Sequence, residues 1–172
     1  GHYFAVLDRM EALRDDEFSF VCRWRTPQPA VLEKGVWTAT APSGSMMRVQ
    51  STDSLFQTAE HWDCDGAARP YVLQQYKTAK LARGQSETYQ NLVFVAGEGR
   101  PDDFQARRAG AAAMLIKGRT AAGEHLALIG TGGRMPLEEF ETDAAAYAVV
   151  GNRLHLAGAT VLKARGKDGL RE

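Results

Sequence analysis

The sequence predicts an all-β protein, an antiparallel β-sandwich of many short strands with at most one short helix. Two observations lead to this prediction. In FSFVCRWR, residues 18–25, apolar and polar side chains alternate strictly, which is typical of a strand with one buried face. Strand-length apolar segments then recur at short intervals along the rest of the chain, separated by turn residues, as in sandwiches and barrels. The apolar residues of the alternating segment are Phe18, Phe20, Cys22 and Trp24.

The other strands are predicted from the same pattern of apolar runs and turns. The chain opens with YFAVLDRM at 3–10, an apolar run with a charged end. The later candidates are GVWTATA at 35–41, SMMRVQS at 45–51, SLFQTAE at 54–60, PYVLQQYKTA at 70–79, ETYQNLVFVAG at 87–97, AAAMLIKG at 111–118, HLALIGTG at 125–132, FETDAAAYAVVG at 140–151 and RLHLAGATVLKARG at 153–166.

The segment DDFQARRAGAAAML at 102–115 is the one helix candidate. Its Ala and Arg residues favour a helix, but Gly110 divides it. Two short strands on either side of this glycine fit the neighbouring strands better, so we favour them.

The chain has the size and composition of one folded domain. It has 172 residues, 44% of them hydrophobic and 24% charged, unlike a disordered chain. No repeat or low-complexity tract marks a linker, so we predict a single domain over 1–172. Because the chain enters a strand at once and has no initial Met, we interpret it as a piece excised from a longer chain.

The charge balance bears on the choice of partner. Lys and Arg total 21 and Asp and Glu total 21, so no overall field attracts nucleic acid or an anionic membrane, and we expect neither. No apolar run approaches the roughly 20 residues of a membrane-spanning helix. Cys22 and Cys64 allow one disulfide at most, and the sequence leaves their pairing and the redox compartment open.

The segment HWDCDG, which begins at His61, is the candidate metal site. Asp63, Asp65 and Gly66 resemble the start of a calcium loop, but the later ligands of such a loop are missing. Zinc bound by His61, Asp63 and Cys64 is a second hypothesis, although His61 and Cys64 would lie on opposite sides of an extended segment. We favour a polar turn, and keep a divalent cation at Asp63 and Asp65 as the alternative.

The aromatic residues are candidates for sugar binding, because sugars stack on flat rings and the aromatics are spread over several strands. Trp24 belongs to the alternating strand and is assigned to the core. Trp37 and Trp62 are the candidates for exposed platforms, together with Tyr71.

No residue pattern indicates a catalytic site. His125 and His155 lie inside strand patterns, where a histidine is usually a face residue with its own hydrogen bonds. The chain has no G-x-S-x-G motif, and GTGGRM at 130–135 fits neither a P-loop nor G-x-G-x-x-G. We therefore name no catalytic residue.

The segments HYFAVLDRMEAL, FSFVCRWRTP and GVWTATAPSGSMMRVQ, with the closing FETDAAAYAVVGNRLHLAGATVLKARG, resemble the later part of heparinase II/III-like polysaccharide lyases. The resemblance spans most of the chain and consists of strands and apolar positions. It implies a C-terminal β-sandwich that packs on an N-terminal α/α toroid, in proteins that cleave uronate-containing polysaccharides by β-elimination. It also implies a periplasmic or extracellular location.

This sequence departs from that family in one important respect. The toroid and the early sandwich strands with their histidine-rich segment have no counterpart in these residues, and no position matches the family's Tyr/His base motif. β-Elimination needs a base, a group that neutralises the carboxylate and an acid, all placed together. The resemblance therefore implies a part of a lyase that is not catalytic in isolation.

Three functional hypotheses follow. The first is a non-catalytic C-terminal β-sandwich of a heparinase II/III-like lyase, which packs on a helical domain of the parent chain and contacts polysaccharide. The second is a self-sufficient carbohydrate-binding module, in which Trp37, Trp62 or Tyr71 stacks on sugar and Arg69 or Lys77 pairs with a uronate carboxylate. The third is an independent enzyme, which would need a histidine beside a carboxylate and a Tyr or Arg in a pocket.

Overall fold

The computed structural model describes residues 3–53, 56–61, 70–97, 103–120, 123–131 and 140–164. In these ranges the chain forms strands and no helix, which confirms the predicted all-β antiparallel class. Nothing in these ranges is a helix that could cross a membrane. The strands are β1 (Tyr3–Glu11), β2 (Asp16–Thr26), β3 (Ala30–Glu33), β4 (Val36–Thr40), β5 (Met46–Ser51), β6 (Phe56–His61), β7 (Tyr71–Leu81), β8 (Ser86–Ala96), β9 (Asp103–Arg108), β10 (Ala113–Thr120), β11 (Gly123–Gly130), β12 (Phe140–Thr142), β13 (Ala146–Val150), β14 (Arg153–Ala157) and β15 (Leu162–Ala164).

The strands form four sheets, in which every neighbouring pair is antiparallel. Sheet I has the order β1-β8-β5-β4-β3, and sheet II has the order β2-β7-β6. Sheet III has the order β14-β13-β11-β10-β9, and sheet IV pairs β12 with β15. Two long strands that follow each other in the chain, β7 and β8, therefore belong to different sheets.

Sheet I is the middle layer, because each of its faces packs on another sheet. On one face, Leu92 and Phe94 of β8 meet Met114 and Ile116 of β10 in sheet III. On the other face, Trp37 of β4 and Val49 of β5 meet Leu73 and Trp24 of sheet II. Side chains of a strand alternate between faces, so consecutive residues of β8 enter different cores. The fold is thus a layered sandwich with two buried interfaces around sheet I.

The strict alternation of β2 has the predicted structural meaning. Phe18, Phe20, Cys22 and Trp24 are partly buried, and the residues between them are exposed. Trp24 packs in the core with Trp37, so its assignment to the core is confirmed.

A third apolar cluster covers the outer face of sheet III. It contains Leu115 of β10, Leu128 of β11 and Tyr147 of β13, with Phe140 of β12 packed against them. The short β12 strand therefore shields a face of sheet III that would otherwise be exposed.

Two glycines in sheet III lie beneath aromatic rings of neighbouring strands. A Cβ at Gly118 would stand 2.3 Å from the Asp103 carbonyl oxygen and 2.3 Å from the Phe104 ring. A Cβ at Gly130 would stand 2.3 Å from the Tyr147 ring. Glycine in a strand often marks such a close approach. The two rings can fold over the sheet only because these positions carry no side chain.

The structure also refines the predicted strand pattern. The division of residues 102–115 around Gly110 into two strands is confirmed by β9 and β10. The segments at 140–151 and 153–166 each divide into two strands, because β12 and β15 pair with each other apart from the β13–β14 hairpin. Strand β3 was not predicted, since its four residues are too few to show a period.

We predict that Gly118→Val destabilises the protein by about 1–3 kcal/mol, because the new side chain overlaps Phe104 and forces β9 away from β10. Denaturation in urea measures the loss. Glu124→Ala, on the neighbouring β11, removes an exposed side chain and should change stability by less than about 0.5 kcal/mol. An equally small effect of Gly118→Val would contradict the proposed close approach.

Candidate functional site

An exposed apolar row crosses sheet II on the face that points away from sheet I. Register pairs Val21 of β2 with Tyr76 of β7, and Tyr76 with Phe56 of β6, so the three side chains share one face. Phe56 is 70% exposed and Val21 is 42% exposed. The Phe56 and Tyr76 rings lie 5.8 Å apart at an angle of 48°. We call these residues the sheet II row.

Polar residues border the sheet II row on one side. Arg23 of β2 donates from Nε to the Gln74 side-chain oxygen at 3.0 Å, and Gln74 donates to Glu60 at 3.0 Å. These bonds run across all three strands of sheet II and hold Arg23 in place beside the row. An apolar centre with a polar, partly cationic border is the usual composition of a protein interface.

A cluster of four charged residues joins the three large sheets at one end of the sandwich. Asp53, just after β5, accepts two hydrogen bonds from Arg108 of sheet III, at 2.6 and 2.8 Å. Lys77 of sheet II lies 3.6 Å from Asp53 and donates to Glu87 of sheet I at 2.8 Å. Two cations and two carboxylates therefore balance each other. We call Asp53, Lys77, Glu87 and Arg108 the ionic cluster.

Glu87 and Arg108 of the ionic cluster line a groove of about 610 Å³. Arg9, Ser86 and Thr88 also line this groove. The Asp53 side chain is only 11% exposed, and those of Lys77 and Glu87 are 19% and 27% exposed. Charges this far removed from water are retained when they are paired and hydrogen-bonded. The cluster therefore has a structural role, and its charges are already neutralised internally.

Buried amides continue this polar layer on both faces of sheet I. Gln75, Gln90 and Asn91 are all fully buried. The Gln75 side chain donates to Asn91 at 2.9 Å. Gln90 donates to the carbonyl oxygens of Gly110 and Ala111 in the β9–β10 connection. Buried amides without partners would cost about 1–3 kcal/mol each, so these bonds fix the relative position of the strands.

The Tyr89 side chain is buried beside β2 and β7. Its hydroxyl group donates to the Phe20 and Gln75 carbonyl oxygens at 2.8 and 3.1 Å. Burial raises the pKa of Tyr89 to about 12, and neighbouring Cys22 contributes to the rise. Burial, with the Asp8 carboxylate as a second cause, also raises the pKa of the Cys22 thiol. A thiol with a raised pKa is a poor nucleophile at neutral pH.

A Tyr–His pair lies at the opposite interface, between sheets I and III. The Tyr3 hydroxyl oxygen and His125 Nε2 are 2.9 Å apart. Phe104 packs edge-to-face on both rings. Burial raises the pKa of the Tyr3 hydroxyl group. A groove of about 500 Å³, lined by His125 with Lys117, Arg119 and Glu124, adjoins the pair.

The structure corrects one of the predicted sugar-binding residues. Trp37 is 0% exposed, since it fills the core between sheets I and II, so its ring is no exposed platform. The Lys77 ammonium group donates to Glu87 and to the Thr88 carbonyl oxygen, at 2.8 and 3.0 Å. Tyr71 is partly buried against the same core, and its ring stacks on His61 at 4.3 Å.

The remaining predicted residues lie outside the described part of the chain. These are Trp62 and Arg69, and the candidate metal ligands Asp63 and Asp65. Within the described ranges, no group of three or more His, Cys, Asp or Glu side chains is arranged as a metal site. Cys22 is a free thiol, and Cys64 lies outside the described residues.

Sequence reasoning missed both the sheet II row and the ionic cluster. Phe56 was part of a predicted strand, but a strand pattern does not show which face of a sheet stays exposed in the folded protein. The members of the ionic cluster come from four separate segments, and Asp53 is 55 residues from Arg108. No local spacing could have linked them.

The chain has no detectable relative in the comparisons with known proteins: no family model, curated protein or solved structure matches it.

We predict that Asp53→Asn lowers the free energy of unfolding by about 1.5–3 kcal/mol. The substitution removes the negative charge that faces the cations Arg108 and Lys77 in a poorly hydrated site. Urea denaturation at neutral pH measures this loss. Asp16→Asn is the matched control, since Asp16 pairs with Arg14 on the surface, where both side chains are well exposed. The control should lose less than about 1 kcal/mol, and equal losses would contradict the assignment of the ionic cluster.

We predict that Tyr89 contributes to an alkaline loss of stability. Its pKa is raised from 10.0 to about 12 on folding, so its contribution is complete below pH 10 and is lost as the pH rises through 12. Denaturation midpoints across this range measure the effect. Tyr89→Phe should be less stable at neutral pH and lose less stability than the wild type on alkalinisation. An unchanged alkaline loss would contradict the prediction, and Tyr76→Phe is the control.

Proposed function

We propose that this chain is a non-catalytic β-sandwich part of a longer heparinase II/III-like polysaccharide lyase, and that it docks on a helical domain of that parent chain through the sheet II row. The observation that carries the proposal is the row itself. Val21, Tyr76 and Phe56 span the full width of sheet II, and Phe56 is 70% exposed. The sequence resemblance supplies the identity of the proposed partner.

The composition of this face supports docking. An exposed large aromatic next to further apolar groups is unfavourable in water and is typical of an interaction surface. The flanking Arg23 is oriented by its bond to Gln74 and adds a cationic group to the border of the row. A helix that presents an apolar stripe bordered by Asp or Glu would complement this face.

The internal chemistry supports a structural role. The charges of the ionic cluster are paired with each other, and the Tyr3 hydroxyl group is hydrogen-bonded to His125. A lyase base must instead be able to accept a proton from the carbon next to a carboxylate. The groups needed for β-elimination are therefore proposed to reside mainly in the parent chain.

A carbohydrate-binding module is the second candidate, favoured by the same surface. Phe56 and Tyr76 lie side by side with Arg23 on their face, so a sugar chain could lie over the rings while its carboxylates face the cation. The 48° angle between the rings makes a poorly flat platform. We rank docking above this alternative for that reason.

The first experiment uses the chain by itself with uronate-containing polysaccharides. The unsaturated uronate that β-elimination forms is followed by its ultraviolet absorbance, and binding is followed by calorimetry. We expect neither product nor saturable binding. Product formation would overturn the non-catalytic assignment, and binding that Phe56→Ser abolishes would establish the module instead.

The second experiment uses the longer chain that the proposal implies. Phe56→Ser should weaken docking by about 1–3 kcal/mol, seen as separate unfolding of the two parts and as new protease cleavage between them. Val31→Ser is the matched control, because Val31 is 56% exposed but lies on β3 of sheet I. If both variants behave like the wild type, the sheet II row is not the docking surface.

A further inference from the structure

Sheet III extends beyond sheet I on one side and forms an overhang. The core between the two sheets draws on β1 and β8 of sheet I, and on β9, β10, β11 and β13 of sheet III. Strand β14 contributes nothing to it. Sheet I ends at β1, whereas sheet III continues past that point through β13 to β14.

The register shows which side chains line the underside of the overhang. Ala127 of the core pairs with Val150, and Val150 pairs with Arg153. In the same way, Ile129 pairs with Ala148, and Ala148 pairs with His155. Paired residues share a face, so Arg153 and His155 point to the same side as the buried core. Both are nevertheless exposed, because sheet I does not reach beneath them.

The edge of sheet I beside the overhang is an open strand edge. Strand β1 pairs with β8 over nine residues, and no other described strand pairs with its outer side. The strand contains no proline or glycine that would block further pairing. Such an edge presents a row of backbone N–H and C=O groups that can accept another strand.

We propose that the edge of β1 is a strand-acceptor site that binds an extended polypeptide with alternating acidic and apolar side chains. A strand added to β1 would lie beneath β13 and β14. Its side chains on that face would meet Arg153 and His155, so acidic residues are the complementary choice.

The apolar residues of the proposed polypeptide would lie on the other face of β1, which carries Phe4. Phe4 lies on the same face as Val93, its partner in β8, which packs toward sheet II. The Phe4 ring is 74% exposed, and an added strand would cover it with its own side chains on that face. Backbone hydrogen bonds provide the affinity in this mode, and the alternate side chains provide the selectivity.

The positive charge of Arg153, on the underside of the overhang, is available for such pairing. Across the described residues, no salt bridge engages Arg153. The site is separate from the sheet II row, so it can be occupied whether or not that row docks on a helical domain.

The test uses a blocked peptide of the length of β1 in which Glu and Val alternate, and a control peptide in which Lys and Val alternate. Affinity is measured by calorimetry, and amide hydrogen exchange is followed residue by residue. We expect the Glu peptide to bind at least about tenfold more tightly than the Lys peptide, and to slow exchange at alternate amides of β1.

Two variants on exposed positions separate the site from folding effects. Arg153→Glu with His155→Glu should reverse the preference between the two peptides, while Lys163→Glu on β15, outside sheet III, should leave it unchanged. Unprotected β1 amides at saturation would overturn the proposal, as would equal affinity for both peptides. A wild-type dimer in solution with β1 already protected would also overturn it, since a second copy would then be the occupant.

Discussion

The structure depends on the burial of β8 on both of its faces. Leu92 and Phe94 enter the core with sheet III, while Val93 packs toward sheet II. The middle of this strand is shielded from water on both sides, so each polar side chain there needs a partner in the protein. Gln90 and Asn91 are fully buried in the middle of β8. Their hydrogen bonds reach the β9–β10 connection on one side and Gln75 of β7 on the other, and these directional contacts set how the three sheets are aligned.

The ionic cluster extends the same constraint to the end of the sandwich. The Asp53 carboxylate accepts hydrogen bonds from Nε and Nη2 of Arg108. Lys77 of sheet II donates to Glu87 of sheet I. Hydrophobic contacts between flat sheets are weakly directional, whereas a bidentate carboxylate–guanidinium pair has a defined geometry. The ionic cluster therefore contributes to the alignment of the three sheets.

The exposed face of sheet II and the outer edge of β1 both result from the way the sheets are layered. Sheet II has only three strands and covers sheet I with one face, so its other face carries Val21, Tyr76 and Phe56 outward. Sheets I and III are displaced sideways, so β13 and β14 extend past β1, whose outer edge pairs with no strand of the described ranges. We propose that the first surface accepts an apolar helix face and that the second accepts an extended strand.

The sequence by itself determined the all-β class and the positions of most strands, because side-chain alternation and turn residues act locally. It also determined that β2 has one buried face, and that Gly110 divides a strand pair. Only the tertiary structure decided that Trp37 lies in a core and that Lys77 is bound by Glu87. The physical reason is that burial and ion pairing depend on which sheet covers each face, and the partners come from distant parts of the chain.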